Sequence, residues 1–412
     1  MNRVVVTGLG ILSSIGKNKK KVLKSLKNGE CGIVFSQEMK DFGLKSNVWG
    51  KINLKYKKFF KKKFFKYMNL ETIYAYLAMK QAINDSLLKD FEYKNNKNVG
   101  LIIGTGFCSS RNNLLSLNYE SQINNSVYKK FESSSIYTIF QIMNSSVSAC
   151  LSTLFKINGI SYSISSACAT SSNCIGHSYE LIRSGKQNIV FSGGSEAITL
   201  NTAFYFDLIK VLSRKYNNFP KFSSRVFDLN RDGFVISEGS GILVLEELNS
   251  ALSRNAHIYG EIIEYNTNSD GFSMFSSSEK GMIRCMKNSI KKISTNIDCI
   301  NVHATSTKLG DLQELNSIKK VFQKKKCPLI SSTKSMTGHS LGASGVHEII
   351  FLLLMLENNF IAPSINIDIL DSEIKDIKII KTMKKIELNT VMSNSFGFGG
   401  VNTTLILKKF NF

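Results

Sequence analysis

The 412-residue chain has three prolines, one tryptophan and five histidines. Its longest apolar run, Ile349 to Leu356 (IIFLLLML), is far below the roughly 20 residues a membrane-spanning helix needs. No membrane span is therefore expected, and this run reads as a buried helix. No proline-rich or serine-rich linker divides the chain, which predicts fused halves rather than tethered domains. The eight cysteines are scattered without any C-x-x-C pair, and the opening MNRVVVTGLGI reads as a buried strand rather than a secretory leader. A reduced, cytoplasmic compartment is expected. Acidic residues are also sparse: 31 Asp plus Glu face 53 Lys plus Arg, a net charge of +22. That charge suits nucleic acid, an anionic membrane or an acidic protein. The Lys-, Asn- and Ile-rich composition of an AT-rich genome produces the same excess, so charge alone does not choose a partner.

What the chain has in quantity is apolar residues, 43% of the total, enough for a large core, patterned as strands alternating with helices. Arg3 to Thr7 reads as a strand turned by Gly8 and Gly10, followed by a short helix from Lys17 to Lys27. Further helices are expected over Leu70 to Leu88, Ile136 to Leu154, Glu279 to Ile293, Asp311 to Phe322 and Gly345 to Leu356. Strands are expected at Val99 to Gly104, Ile160 to Ile164, Asn188 to Ser192, Gly241 to Glu246 and Ile258 to Tyr265. Four more follow at Cys299 to His303, Leu329 to Ser331, Val391 to Asn394 and Thr403 to Leu407. Both halves thus read as βαβ units with mixed sheets, an α/β class.

Cys168 is the candidate nucleophile. It lies among small residues (SSACATSS) between a strand and a helix, where unpaired backbone N–H groups and the helix dipole favour a thiolate. Cys174 falls in the body of that helix and reads as core. Of the five histidines, His303 (HATST) and His339 (KSMTGHSLGASG) stand at strand ends among small polar residues. One cysteine with two imidazoles can carry an acyl thioester and stabilise charge developing on a carbonyl, and Lys334 is placed to bias the local proton balance. His177, His257 and His347 read as surface or satisfied core. A metal reading is weak, because no two histidines share i, i+4 spacing and no thiol pair accompanies them. A cysteine-protease reading leaves the second histidine and the lysine without work. Ser393 to Gly400 (SNSFGFGG) sets two aromatic rings in a glycine frame suited to a mobile gate, or to an ordinary tight turn. Lys57 to Lys66 (KKFFKKKFFK) is the densest positive feature.

Together SSACATSS, HATST, KSMTGHSLGASG and SNSFGFGG, in this order and spacing, resemble the β-ketoacyl-acyl carrier protein synthases. The resemblance runs from VVVTGLGILSSIG through RDGFVISEGSG to the last strand. SISSACATS, SQEMKDFGLKSNVWG, HIYGEI and FIAPSIN are more similar to the synthase I branch than to synthase II. The resemblance implies a thiolase fold, two similar βαβαβαββ halves (residues 1–250 and 251–412) in a five-layer α-β-α-β-α sandwich, usually homodimeric. It implies chain-elongating condensation in type II fatty acid synthesis. Cys168 would take an acyl group from acyl carrier protein, and His303 and His339 would stabilise the enolate left when malonyl-acyl carrier protein loses CO2, with Lys334 tuning the site's charge. The N–H groups of Cys168 and Phe398 would form the oxyanion hole, Phe398 and Phe396 the gate, and Thr305 and Thr307 would hold the pantetheine arm. No cofactor would be required. Asn301, Glu348, Ser393 and Asn394 match positions that hold a structural monovalent cation.

The acidic carrier protein would be the partner for the basic surface, docking at Lys62, Lys63 and Lys66 and more weakly at Lys129 and Lys130. Nucleic acid is not expected. The alternative is a catalytically impaired partner or chain-length-factor-like subunit of the same fold, against which Cys168 argues. The chain departs from the family pattern at Ala304, where glycine is usual, at Ser335, and over Ser237 to Ser240. Ala304 would be strained, and His303 displaced, if that position required a positive φ.

Overall fold

The computed structural model describes residues 1–54, 64, 66–107, 137–323, 325–374 and 377–411. Ten strands make its main sheet: β1 (Val4–Leu12), β2 (Val99–Gly104), β3 (Ser161–Tyr162), β4 (Ile189–Glu196), β5 (Gly239–Glu247), β6 (Gly260–Ser269), β7 (Cys299–Asn301), β8 (Leu329–Ser331), β9 (Thr390–Gly397) and β10 (Val401–Lys408). In space they run β8-β7-β9-β10-β6-β1-β5-β4-β2-β3. The five strands from each half therefore repeat one order, third, second, fourth, fifth, first. The directions repeat as well. β1–β5 and β5–β4 are antiparallel and β4–β2 and β2–β3 parallel, while β6–β10 and β10–β9 are antiparallel and β9–β7 and β7–β8 parallel. The halves join where Val4, Val5 and Val6 pair with Ile262, Glu261 and Gly260.

Helices fill the layers. Leu70–Ser86 and Ser146–Phe155 cover one face of the first half, Glu279–Ile290 and Lys308–Phe322 cover the second, and Thr170–Arg183 packs with Ser344–Asn358 between the halves. This is the expected five-layer arrangement. The stretch Leu341–Asn358 is long and apolar enough to cross a membrane, but 89% of it is buried inside the fold, so it is the core helix its composition suggested.

Two expectations change. Gly8 and Gly10 do not end the first strand, which runs to Leu12. A Cβ at Gly10 would lie 1.8 Å from the Ala78 carbonyl oxygen, so these glycines let helix Leu70–Ser86 press its Ala75, Ala78 and Ala82 face onto the sheet. The helix expected over Ile136 to Leu154 is two pieces among its described residues, Thr138–Ile142 and Ser146–Phe155. Met143 adopts an extended conformation, and Asn144, Ser145 and Ser146 are residues whose side chains compete for backbone hydrogen bonds. The strand expected over Ile160 to Ile164 shortens to two exposed residues at the sheet edge.

Candidate active site

Cys168 lies just ahead of Ala169, the cap of helix Thr170–Arg183. Ala167 before it is forced to φ 50°, a left-handed conformation costing a non-glycine residue about 1–2 kcal/mol. The kink is locked by Thr170, whose hydroxyl donates to the Ala167 carbonyl at 2.7 Å and accepts the Ser166 N–H at 2.8 Å. On the far side, a Cβ at Gly397 would lie 3.2 Å from the Cys168 nitrogen, so glycine there admits the loop carrying Phe398. The backbone N–H groups of Phe398 and of Cys168 itself both point at the sulfur and favour its charged form. Burial outweighs them and the Lys334 charge, pushing the thiol up to about 12. The helix end thus favours the charged sulfur in the expected direction, and burial outweighs it.

His339 Nε2 is 3.0 Å from Cys168 Sγ. The His303 and His339 rings meet edge to face, centroids 5.3 Å apart. Burial, then the positive charge of Lys334, holds both imidazoles well below the usual histidine range, so both are neutral. Lys334, 2% exposed, pairs with Glu348. The four residues come from three separate places in the chain, Cys168 ahead of a helix in the first half, and His303 and the Lys334–His339 segment in the second. Cys168, His303 and His339 open on a cavity of about 650 Å³ whose walls include Phe107, Phe206, Val211, Phe234 and Phe398. The lining is mainly apolar, with Ser276, Ser277, Thr305, Thr307, Gln313 and Glu314 among its polar members.

Residues 1–251 match the beta-ketoacyl synthase N-terminal domain, and residues 259–368 match its C-terminal domain. The chain belongs to the beta-ketoacyl synthase family. It is 55% identical over 411 residues to the 3-oxoacyl-[acyl-carrier-protein] synthase 1 of Buchnera aphidicola subsp. Baizongia pistaciae, all of both chains being covered. It is 49% identical to the Escherichia coli K12 protein of the same name, with 99% of each covered. A beta-ketoacyl synthase from Burkholderia phymatum superposes with a TM-score of 0.92 over the full length of both chains at 29% identity. A type II polyketide ketosynthase, solved in complex with its acyl carrier protein, gives 0.86 at 26% identity over 99% of this chain and all of that one. The fold is the thiolase fold, and the chain is a chain-elongating condensing enzyme, an acyltransferase that forms carbon–carbon bonds.

In this synthase the other expected positions divide. Thr305 and Thr307 both line the cavity, their hydroxyls 3.4 Å apart. Phe398 stands at the mouth, 38% exposed, with Phe206 and Phe275 as ring neighbours and Gly399 and Gly400 at φ 79° and 75° beside it. Phe396 is 5% exposed within β9, its ring against His303. The two phenylalanines are thus unlike: Phe396 is a buried wall and Phe398 a half-exposed ring beside two glycines. Lys66 is held by the Tyr137 hydroxyl at 3.0 Å and by the faces of Tyr67 and Tyr137; Lys62, Lys63, Lys129 and Lys130 lie outside the described residues. Asn301 Oδ1, Glu348 Oε2 and Ser393 Oγ are buried without a hydrogen-bond partner, and Asn301 and Ser393 are neighbours across β7 and β9. The Asn394 amide is already engaged, donating to Glu314 at 3.3 Å and accepting from Thr404 at 3.0 Å.

Ala304 carries no strain. The left-handed residue of this turn is Ser306 at φ 78°, not Ala304. Three groups escaped the sequence reading. Glu314 accepts the backbone N–H groups of His303 and Ala304; Asp311 accepts those of Thr305 and Ser306. Ser344 Oγ sits 2.7 Å from His339 Nδ1. The acids had a signal: Asp311 and Glu314 share a helical stripe with Leu315, Ile318 and Phe322, so two carboxylates sit on the buried face. Ser344 had none, being one serine in a serine-rich turn. The other histidines fall as read: His177 is half-buried beside Glu180, His257 is exposed beside Glu357, and His347 is a bonded core residue.

Proposed function

We propose that Cys168 of this synthase carries the growing acyl chain delivered by acyl carrier protein and condenses it with a malonyl unit. The observation that supports this most is the 3.0 Å approach of Cys168 Sγ to a neutral His339 Nε2 at the head of an apolar cavity. As the sulfur attacks the incoming thioester, its proton passes to the departing pantetheine thiolate, while His339 stays neutral and keeps its N–H at Nε2, with Nδ1 accepting from the Ser344 hydroxyl. The tetrahedral oxyanion lies against the Cys168 and Phe398 N–H groups. Malonyl thioester then loses CO2, and N–H donors on His303 and His339 stabilise the enolate. Its carbon attacks the acyl-Cys168 carbonyl, the C–C bond forms, the C–S bond breaks, and the released Cys168 thiolate takes up a proton from solvent. Lys334 opposes a second positive charge on either ring, which keeps both histidines neutral as donors. Thr305 and Thr307 hold the pantetheine arm and Phe398 gates the mouth.

No cofactor enters these steps. Asn301, Glu348 and Ser393 fit a structural monovalent cation, because a cation would satisfy their three orphaned oxygens; Asn394 Oδ1 already accepts from Thr404 and has one lone pair left for it. Such an ion supplies positive charge beside Glu348 and takes no part in bond making. Residues 1–250 and 251–412 form the two halves, the enzyme works as a homodimer in the cytoplasm, and the carrier protein docks through Lys66 with Lys62, Lys63, Lys129 and Lys130. The impaired-subunit alternative has nothing in its favour where thiol, histidines and lysine converge.

Mass spectrometry of the protein incubated with acyl-acyl carrier protein tests the acylation step. An adduct of one acyl mass on wild type, absent from Cys168→Ala, is expected; equal labelling of both would refute it.

A further inference from the structure

We propose that the resting active site is also a reversible binding site for a borderline-soft divalent cation such as Zn2+, held by Cys168, His303 and His339 and excluded once the cysteine is acylated. One ligand atom from each of the three side chains lies within 4.8 Å of the others. In a tetrahedral zinc site with bonds near 2.3 Å to sulfur and 2.0–2.1 Å to nitrogen, such atoms stand about 3.4–3.6 Å apart. Cys168 and His339 are at 3.0 Å already, so closing the set requires movements of roughly 1 Å. The sequence could not show this, since the ligands come from three loops more than thirty residues apart.

The donor set selects the metal. A thiol and two imidazoles suit Zn2+ and Co2+ and offer little to Mg2+ or Ca2+, which want oxygen. The carboxylates around the site are committed elsewhere, Glu196 to the Gly106, Phe107 and Gly342 N–H groups, Glu314 to those of His303 and Ala304, and Glu348 to Lys334. The Glu348 pairing also offsets the Lys334 charge, which would otherwise repel a cation. Three protein ligands leave a fourth position facing the cavity, the open arrangement of a site that binds a metal and exchanges it. Orientation is provided too, because Ser344 fixes His339 from its other nitrogen. On binding, the S–H bond breaks, the S–Zn bond forms and the proton leaves to solvent. Thioester formation removes the thiolate and so the site. Free zinc and acyl groups would therefore compete for one sulfur, and zinc would be a reversible inhibitor.

Co2+ titration of the purified unacylated protein tests this without any turnover. One equivalent per chain is expected to give the intense visible bands of a tetrahedral site with a near-ultraviolet sulfur-to-cobalt charge-transfer band, displaced by Zn2+. Cys168→Ser should lose the charge-transfer band and bind at least 10-fold more weakly, and His303→Gln should weaken binding in the same direction while circular dichroism stays native. No binding, or a charge-transfer band that survives in Cys168→Ser, would overturn the proposal, the latter by assigning the metal to another thiol. Because the readout is spectroscopic, failure of acylation would leave this result standing.

Discussion

Glu314 accepts the backbone N–H of His303 at 3.0 Å through one carboxylate oxygen and that of Ala304 at 2.7 Å through the other. One buried carboxylate thus sets the path of the turn that carries the His303 imidazole into the site. Glu314→Leu leaves both N–H groups buried and unpaired, a cost of about 1–3 kcal/mol each. Calorimetry should show a lowered Tm, and the condensation rate should fall further than acylation, since His303 serves the enolate step. Equal losses in the two steps would contradict the assignment.

The same geometry makes Ala304 harmless. Its φ is not left-handed, so Ala304→Gly adds unfolded-state freedom without relieving strain, costing about 0.5–1 kcal/mol. kcat should stay within about twofold of wild type on that ground. A marked gain in kcat would show that the alanine does displace His303.

Lys334 and Glu348 are each 2% exposed. Removing either alone strands a buried charge, a loss of about 3–5 kcal/mol. Glu348→Leu and Lys334→Met should each destabilise strongly in urea titrations, and the double variant should lose much less than their sum. Additive losses would show the pair to be uncoupled.

His347 provides the pH dependence. Its Nε2–H donates to the Leu12 carbonyl at 3.1 Å, and its Nδ1 lies 3.0 Å from the Ser340 hydroxyl. Burial holds its pKa at about 4 against an ordinary 6.5. A base depressed by folding contributes stability that is present above pH 6.5 and lost as pH falls toward 4, about 3 kcal/mol in all. His347→Gln keeps a donor and an acceptor but cannot titrate. Stability of wild type minus variant, followed by denaturant melts, should fall through that window; a flat difference would show that folding leaves the proton affinity of the ring unchanged.

The sequence carried most of this arrangement, for reasons visible in single elements. VGLIIG and LIS are wholly apolar or nearly so, and both strands appear where periodicity put them. Cys168, His303 and His339 were legible because each breaks a run of small residues at an element's end. Gly8 and Gly10 misled because a glycine inside a strand and one that ends it look alike until the packed helix is known. The thiol's resting state was also out of reach: helix dipole and burial act in opposite directions, and only the surroundings show that burial wins. Ser344, Asp311 and Glu314 work through hydrogen bonds to groups brought near by folding, and such contacts leave little trace in spacing.

The central claim is that one sulfur carries the chain while two neutral imidazoles make the carbon nucleophile. Its most direct test is to acylate the enzyme, remove free carrier protein, chase with malonyl-acyl carrier protein and follow both the Cys168 adduct and the carrier-bound product by mass. The adduct should vanish as β-ketoacyl-acyl carrier protein two carbons longer appears in equal amount. Product formed while the adduct persists would contradict the account, because the chain would then have travelled by another route.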